Sequence, residues 1–151
     1  MARILLFSGS MWPTLQEIDA IAGKIIGCAI EVHKTVGAGL LESAYRECLS
    51  IEMRSAKLNF DCQRTIKLSY KGEPINTKLQ VDLLVENLVV VELKAVETLH
   101  PVHQSQVITY LKATRCPSGL LLNFNVTAMA TGIKRLEHPE FYPLKKKSFS
   151  S

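Results

Sequence analysis

The chain has 151 residues, 47% apolar and 21% charged, which suits one globular domain with a sizeable core. The formal net charge is +4, and the consecutive residues Lys145, Lys146 and Lys147 supply three of those charges. The rest of the chain is close to neutral, so the composition argues against a uniformly basic nucleic-acid binder. Any nucleic-acid site must be a local patch.

The four cysteines form no C-x-x-C pair and match no familiar zinc spacing. Cys28 and Cys48 fall among apolar helical positions, which indicates buried free thiols and favours a reducing, cytoplasmic setting. The apolar run at residues 4–7 is too short for a signal sequence. No segment is long enough to span a bilayer, so we expect no membrane association.

The first half of the chain predicts two helices followed by a strand. Apolar residues recur every three or four positions over residues 15–34, which indicates an amphipathic helix. Gly37 and Gly39 end it, and a second helix is expected over about 40–57. Residues 59–70 alternate apolar and polar side chains, as in a strand, and 71–74 form a turn.

The second half predicts two strands near 76–85 and 88–95, then a helix over about 101–114 with Pro101 in its first turn. Residues 119–124 indicate a buried strand, and a short helix or loop is expected near 127–136. We find no internal repeats and no linker. This order of elements predicts an α/β fold with a small mixed β-sheet flanked by helices.

Residues 80–94 are the most informative segment, because Asp82, Glu92 and Lys94 interrupt two apolar runs around a short polar turn. Charges rarely enter buried strands unless something pairs them. A divalent metal is a suitable partner for two carboxylates. Lys94 reaches the same face as Glu92, because strand side chains alternate. The spacing is the D-x(n)-E-x-K pattern of metal-dependent phosphodiesterases.

The hairpin geometry sharpens this hypothesis. If the turn is residues 86–88, Val85 pairs with Val89 and Asp82 lies opposite Glu92, where the carboxylates repel each other unless a cation is bound. A two-residue turn would place Asp82 opposite Val91 instead, so a three-residue or bulged turn is predicted. The alternative is that Glu92 and Lys94 lie on a solvated strand face and have no function. The E-x-K pattern alone is weak evidence, because it occurs by chance in many proteins.

Three further residues are candidates for the same site. Glu42 begins the second helix, although a carboxylate there could serve only the helix dipole. Gln106 and Tyr110 lie four apart on one helical face, which they share with His103. The alternative for this pair is that Tyr110 packs in the core and Gln106 is solvated.

Other polar residues have weaker claims. His33 ends an apolar helical face and is interpreted as a packed or capping histidine rather than a ligand. Four cationic residues could contact phosphates, although surface charges are usually only solvated: Arg46, Lys112, Lys134 and Arg135.

Residues 39–45 read G-L-L-E-S-A-Y, a G-x-x-E-x-x-Y signature. Together with residues 91–97, 101–106 and 123–125, they resemble the bacterial GxxExxY proteins, a branch of the PD-(D/E)XK nuclease superfamily. The resemblance covers about residues 17–137. It implies a restriction-endonuclease-like PD-(D/E)XK domain over 17–138, preceded by an N-terminal extension at 1–16 and followed by a basic polar tail at 139–151.

The resemblance implies a role for each residue of the charged set. Asp82 and Glu92 would be the metal-binding carboxylates, joined by the backbone carbonyl of Leu93. Lys94 would be the catalytic lysine. Glu42 would be the additional acidic residue that supports metal binding, often through water.

Gln106 and Tyr110 resemble the Q-x-x-x-Y element of RecB-type nucleases, which helps to position substrate. The chain departs from the superfamily pattern at one position, since Val81 stands where the superfamily name has proline.

The expected activity is Mg²⁺- or Mn²⁺-dependent hydrolysis of phosphodiester bonds, with DNA as the expected nucleic acid by analogy. The alternative is a catalytically silent nuclease-fold module that binds nucleic acid or protein; for a purely structural subunit there is no positive evidence. Specificity would come from nucleic-acid ends or structure, from a homodimer or from a partner protein. DNA against RNA, and endonuclease against exonuclease, are left open.

Overall fold

The computed structural model describes residues 12–141, which contain three α-helices and a five-stranded sheet. In chain order the elements are α1 (Leu15–Val36), α2 (Glu42–Ser55), β1 (Phe60–Tyr70), β2 (Glu73–Val85), β3 (Val89–Lys94), α3 (Pro101–Thr114), β4 (Ser118–Asn123), a 3₁₀ turn (Met129–Gly132) and β5 (Ile133–Glu137).

The strands lie in the order β1-β2-β3-β4-β5. All neighbours are antiparallel except β3 and β4, which are parallel. A parallel pair needs a long crossover connection, and α3 provides it. The predicted α/β fold with a small mixed sheet is therefore confirmed.

The core lies on both faces of the sheet. On one face α1 and α2 pack against the inward side chains of the sheet, including Leu83, Leu93 and Leu122. On the other face α3 packs through Val107, Tyr110 and Leu111 against a smaller cluster. We call these the α1/α2 side and the α3 side. The central strands β3 and β4 are buried on both sides, which explains their nearly continuous apolar runs.

Most predicted elements are observed, and the helix over residues 101–114 has the expected bounds. The prediction of a short helix or loop near 127–136 is wrong in its second half, because residues 133–137 form β5. This strand is short, lies at the edge of the sheet and contains three charged residues among five. Its pairing with β4 is a long-range contact that the local sequence does not announce.

The predicted three-residue turn of the β2–β3 hairpin is confirmed. Val85 pairs with Val89, and residues 86–88 form the turn. Glu86 and Asn87 have φ values of 55° and 54°, the left-handed region that tight hairpin turns use. The backbone N–H of Leu88 donates to the carbonyl of Val85 at 2.9 Å.

The ends of the described chain pack together. Thr14 caps α1 through a capping box with Glu17. Trp12, in the expected N-terminal extension, contacts the rings of His138 and Phe141. The predicted domain boundaries stay predictions. Residues 1–11 and 142–151, with the three consecutive lysines of the predicted tail, lie outside the described residues.

All four cysteines are free. Cys28 is buried as predicted, whereas Cys48 is only half-buried. Within residues 12–141, none of the helices combines the length and apolar character that crossing a membrane requires.

A close backbone approach fixes the segment after β4. A Cβ atom at Gly132 would overlap the backbone carbonyl oxygen of Asn123. Only glycine fits there, because backbone cannot move aside as a flexible side chain could. The contact holds the 3₁₀ turn against the end of β4.

We predict that Gly132→Ala destabilises the fold by about 2–3 kcal/mol, because the methyl group must displace backbone. Gly27→Ala is the matched control, since Gly27 is exposed on α1 with open space around its Cα. It should stabilise by about 0.5–1 kcal/mol through helix propensity. Urea unfolding measures both, and equal stabilities for the two variants would contradict the close approach.

Candidate active site

The candidate site lies where β2 departs from strict alternation. Val81 and Leu84 both pack on the α3 side, whereas Leu83 packs on the α1/α2 side. Side chains three apart cannot share a face in a regular strand, so the strand is irregular around Asp82. Across the ladder, Gln63 of β1 has a φ of 50°. Such irregularities re-aim side chains, and this one aims Asp82.

Asp82 has partners on two elements. Its Oδ2 accepts a hydrogen bond from the backbone N–H of Leu93 at 2.9 Å, and its Oδ1 is 3.4 Å from the Nη1 of Arg46 on α2. Its side chain also forms a hydrogen bond with Glu92. Backbone pairing of β2 with β3 ends at Leu83 and Val91. At the next position, where Asp82 and Glu92 were predicted to lie opposite each other, the two strands are joined by their side chains instead.

Glu92 is 5% exposed. Burial raises its pKa to about 9, helped by the hydrogen bond to Asp82 and by the negative charge of Asp82, while the positive charge of Lys94 opposes the rise. With no cation bound, Glu92 is therefore protonated at neutral pH. A buried carboxyl group beside a carboxylate needs either a proton or a cation, because two adjacent negative charges are too costly.

Lys94 and Glu42 stand beside this pair. Leu93 packs on the α1/α2 side, so alternation places both Glu92 and Lys94 towards the α3 side, as predicted. Glu42 begins α2 and is half-buried. Burial raises its pKa, the charge of Lys94 opposes that rise and the charge of Asp82 adds to it. These couplings place Glu42 within electrostatic reach of the pair.

Glu42 does not complete a compact metal-ligand set in the structure. Among the described residues, no three His, Cys, Asp or Glu side chains converge closely enough to hold a metal ion together. Its predicted supporting role, through water, stays a prediction.

Tyr110 joins the site through its hydroxyl group, which lies close to the side chains of Glu92 and Gln106. Burial raises the pKa of Tyr110 to about 12, and the negative charges of Glu92 and Asp82 add to the rise. Its ring packs in the α3-side cluster. Tyr110 therefore belongs to both: its ring packs in the core and its hydroxyl group faces the site. Gln106 is exposed, next to this hydroxyl.

Tyr45 explains why the G-x-x-E-x-x-Y signature has its spacing. Its hydroxyl donates to the carbonyl of Gly37 at 2.6 Å and accepts from the N–H of Leu40 at 3.2 Å. Its ring stacks on Phe124 at 4.5 Å between centroids. Tyr45 therefore fixes the loop between α1 and α2, and with it the start of α2 at Glu42. This positioning role was not predicted.

Asn123 is a second positioning residue that the sequence reasoning missed. It is 3% exposed and sits at the end of β4. Its side chain accepts from the N–H of Val96 at 3.1 Å and donates to the carbonyl of Val96 at 2.9 Å. The N–H of Phe124 also donates to the carbonyl of Lys94. These hydrogen bonds hold the segment that follows Lys94. The Asn-Phe-Asn sequence at residues 123–125 is the sequence feature that could have indicated this positioning role.

His33 lies outside the site. Its Nε2 is 2.8 Å from the carbonyl of Val126, so it is the packed histidine that was predicted.

Among the four cationic candidates, only Arg46 contacts the predicted site residues. Arg135 pairs with Asp19 of α1. Lys112 on α3 and Lys134 on β5 are exposed.

The residues present fit a divalent cation. Asp82 and Glu92 bring two carboxyl groups into contact, and carboxylate and carbonyl oxygens are the ligands that Mg²⁺ and Mn²⁺ prefer. The N–H of Leu93 points at Asp82. In an extended strand a residue's N–H and C=O point to the same side, so the carbonyl of Leu93 faces the same edge.

We predict that Glu92→Gln stabilises the metal-free protein at alkaline pH. The folded protein holds the Glu92 proton more tightly than the unfolded chain, whose pKa is near 4.5. Stability of the wild type therefore falls as pH rises from about 4.5 to about 9. Glutamine keeps the shape and a donor towards Asp82 but carries no charge.

The variant should exceed the wild type by at least about 1 kcal/mol at pH 8, roughly 2–4 °C in Tm, with a much smaller difference at pH 5. Thermal unfolding in EDTA at both pH values measures this. Asp82→Asn is the control: it should destabilise, since Asp82 loses its ion pair with Arg46. An equal increase in the Tm of Glu92→Gln at both pH values would contradict the claim that Glu92 keeps a proton in the folded, metal-free protein.

Comparison with known proteins supports the fold and shows the family. The crystal structure of SSO0001 has a similar fold, with a TM-score of 0.51 and 12% sequence identity over 89% of this chain and 68% of that one. No curated protein matches the chain. The family model of the PD-(D/E)XK nuclease superfamily matches residues 19–136, which include every residue of the candidate site. The chain belongs to the PD-(D/E)XK nuclease superfamily.

Proposed function

We propose that the protein is a nuclease that hydrolyses phosphodiester bonds in DNA with Mg²⁺ or Mn²⁺ as its cofactor. The observation that carries this proposal is the buried contact between Asp82 and Glu92, beside the Lys94 ammonium group. Members of the superfamily are generally nucleases that use divalent metal ions. The choice of DNA over RNA, and of these two ions, rests on analogy with the superfamily.

Asp82, Glu92 and the carbonyl of Leu93 would hold the metal ion, and Glu42 would support it through water. A bound divalent ion would supply Lewis-acid stabilisation of the phosphate and a more acidic water. Glu92 must lose its proton to serve as a ligand. Burial and the adjacent Asp82 carboxylate favour the protonated form of Glu92 in the metal-free protein.

Lys94 would neutralise charge that develops on the scissile phosphate or orient the attacking water. Gln106 and Tyr110 would position the substrate, with Gln106 exposed at the surface and the Tyr110 hydroxyl near Glu92. The intact charged set argues against a silent module, because buried charges without a function are costly to keep.

A cytoplasmic location is also part of the proposal, and four free cysteines support it. We also propose that specificity comes from nucleic-acid ends or structure, from a homodimer or from a partner protein.

We predict metal-dependent cleavage of DNA by the purified protein. Linear, circular and single-stranded DNA and an RNA of matched sequence are incubated with Mg²⁺ or Mn²⁺, and products are separated on denaturing gels. Lys94→Ala should reduce the rate by at least about 100-fold, since charge stabilisation at the reacting phosphate is lost. EDTA should abolish cleavage.

Lys24→Ala on the exposed face of α1 is the matched control and should retain the wild-type rate. Cleavage that survives both EDTA and Lys94→Ala would indicate a contaminating enzyme. A folded, metal-binding protein that cleaves none of the substrates would contradict the proposal and favour a binding module.

A further inference from the structure

The β1–β2 hairpin extends beyond the core as a two-stranded arm. We define the arm as residues 63–80. Apart from Ile66, Leu68 and Leu79, which are half-buried, every residue of the arm is exposed. Within residues 12–141, β1 is an edge strand that pairs with β2 alone. A two-stranded ribbon alone in water is only marginally stable. The length and the exposed residues of the arm therefore need an explanation other than packing of the core.

The two faces of the arm differ. Ile66 and Leu79, which pair across the strands, pack against the α3-side cluster. Alternation then assigns the opposite face to two other cross-strand pairs: Thr65 with Gln80, and Lys67 with Lys78. This alternation continues along β2 from Lys78 to Gln80 and is interrupted at Asp82, where the strand is irregular. The polar face of the arm therefore ends next to Asp82 along the chain.

The lysine pair places two like charges next to each other without an ion-pair partner among residues 12–141. Lys67 and Lys78 are directly opposed Cα partners, both exposed. Like charges in this position are destabilising. Neither side chain forms an ion pair with any residue of the described range 12–141. The whole arm carries four cationic residues and one carboxylate, which makes it a local basic patch on a chain that is otherwise close to neutral.

The polar surface continues onto α2. A groove between α2 and β1 is lined by two arginines and one carboxylate, Arg46, Arg54 and Glu47, among other residues. Arg46 also contacts Asp82, so the groove, the site and the arm adjoin one another. Lys78 is four residues from Asp82, a separation of about 13 Å at the rise of an extended strand.

We propose that Lys67 and Lys78 bind the phosphodiester backbone of the substrate nucleic acid outside the site of cleavage. This inference rests on the proposed function. An anionic backbone between the two ammonium groups removes their repulsion and explains an exposed like-charge pair beside a nuclease site. Nucleic acid rises about 3.4 Å per nucleotide along a duplex strand, so the contact lies about four nucleotides from the scissile phosphate.

The test compares two double variants with equal charge change. Lys67→Ala/Lys78→Ala removes the pair, and Lys24→Ala/Lys34→Ala removes two exposed lysines from α1, outside the arm. Fluorescein-labelled 20-nucleotide single strands and duplexes, of DNA and of RNA, are titrated in EDTA at several KCl concentrations. Cleavage by the same proteins is measured in parallel with Mg²⁺ or Mn²⁺.

The arm variant should bind roughly tenfold more weakly, with a salt slope smaller by about 1.5–2, as expected for two lost phosphate contacts. KM for cleavage should rise by a similar factor, with kcat unchanged within about twofold. The control should match the wild type in all three quantities. The Tm of the arm variant should not fall, because the substitution relieves repulsion.

Equal binding and equal KM for the two double variants, with wild-type cleavage intact, would overturn the role of the arm and leave the nuclease proposal standing. Neither binding nor cleavage by the wild type would overturn both. Light scattering adds a further outcome: a wild-type dimer that Lys67→Ala/Lys78→Ala dissociates would make a second copy of this chain the occupant of the arm and overturn the nucleic-acid contact.

Discussion

The contact between the side chains of Asp82 and Glu92 is the constraint on which the rest of the site depends. A buried carboxyl group and a half-buried one in contact are costly to ionise together without a compensating charge. The metal-free protein resolves this with a proton on Glu92, whose pKa burial raises to about 9. Arg46 and the N–H of Leu93 then compensate the charge of Asp82. A divalent cation would replace the proton without rearranging the backbone.

The fold holds this contact by devices on three elements. The irregularity of β2 turns Asp82 towards the end of β3. Asn123 holds the chain that leaves Lys94. Tyr45 fixes the loop before Glu42 through two hydrogen bonds and a stacked ring. Side chains held in this way lose little entropy when a ligand binds, which is what a preorganised catalytic site requires.

The sequence predicted the parts of this arrangement that depend on local patterns. Charges inside apolar runs identified Glu92 and Lys94, and pairing of Val85 with Val89 was deduced from the length of the turn. The roles of Tyr45 and Asn123 and the existence of β5 depend on contacts between distant segments, which periodicity does not encode. The like-charge pair on the arm required the register of β1 against β2.

The most direct test of the account is calorimetric titration of Mn²⁺ into the metal-free protein near pH 8. The account predicts saturable binding to the wild type, and a loss of at least about tenfold in affinity in both Asp82→Asn and Glu92→Gln. Lys94→Ala should still bind, because Lys94 is not a ligand. Wild-type affinity in both carboxylate variants would contradict the claim that this contact is the metal site.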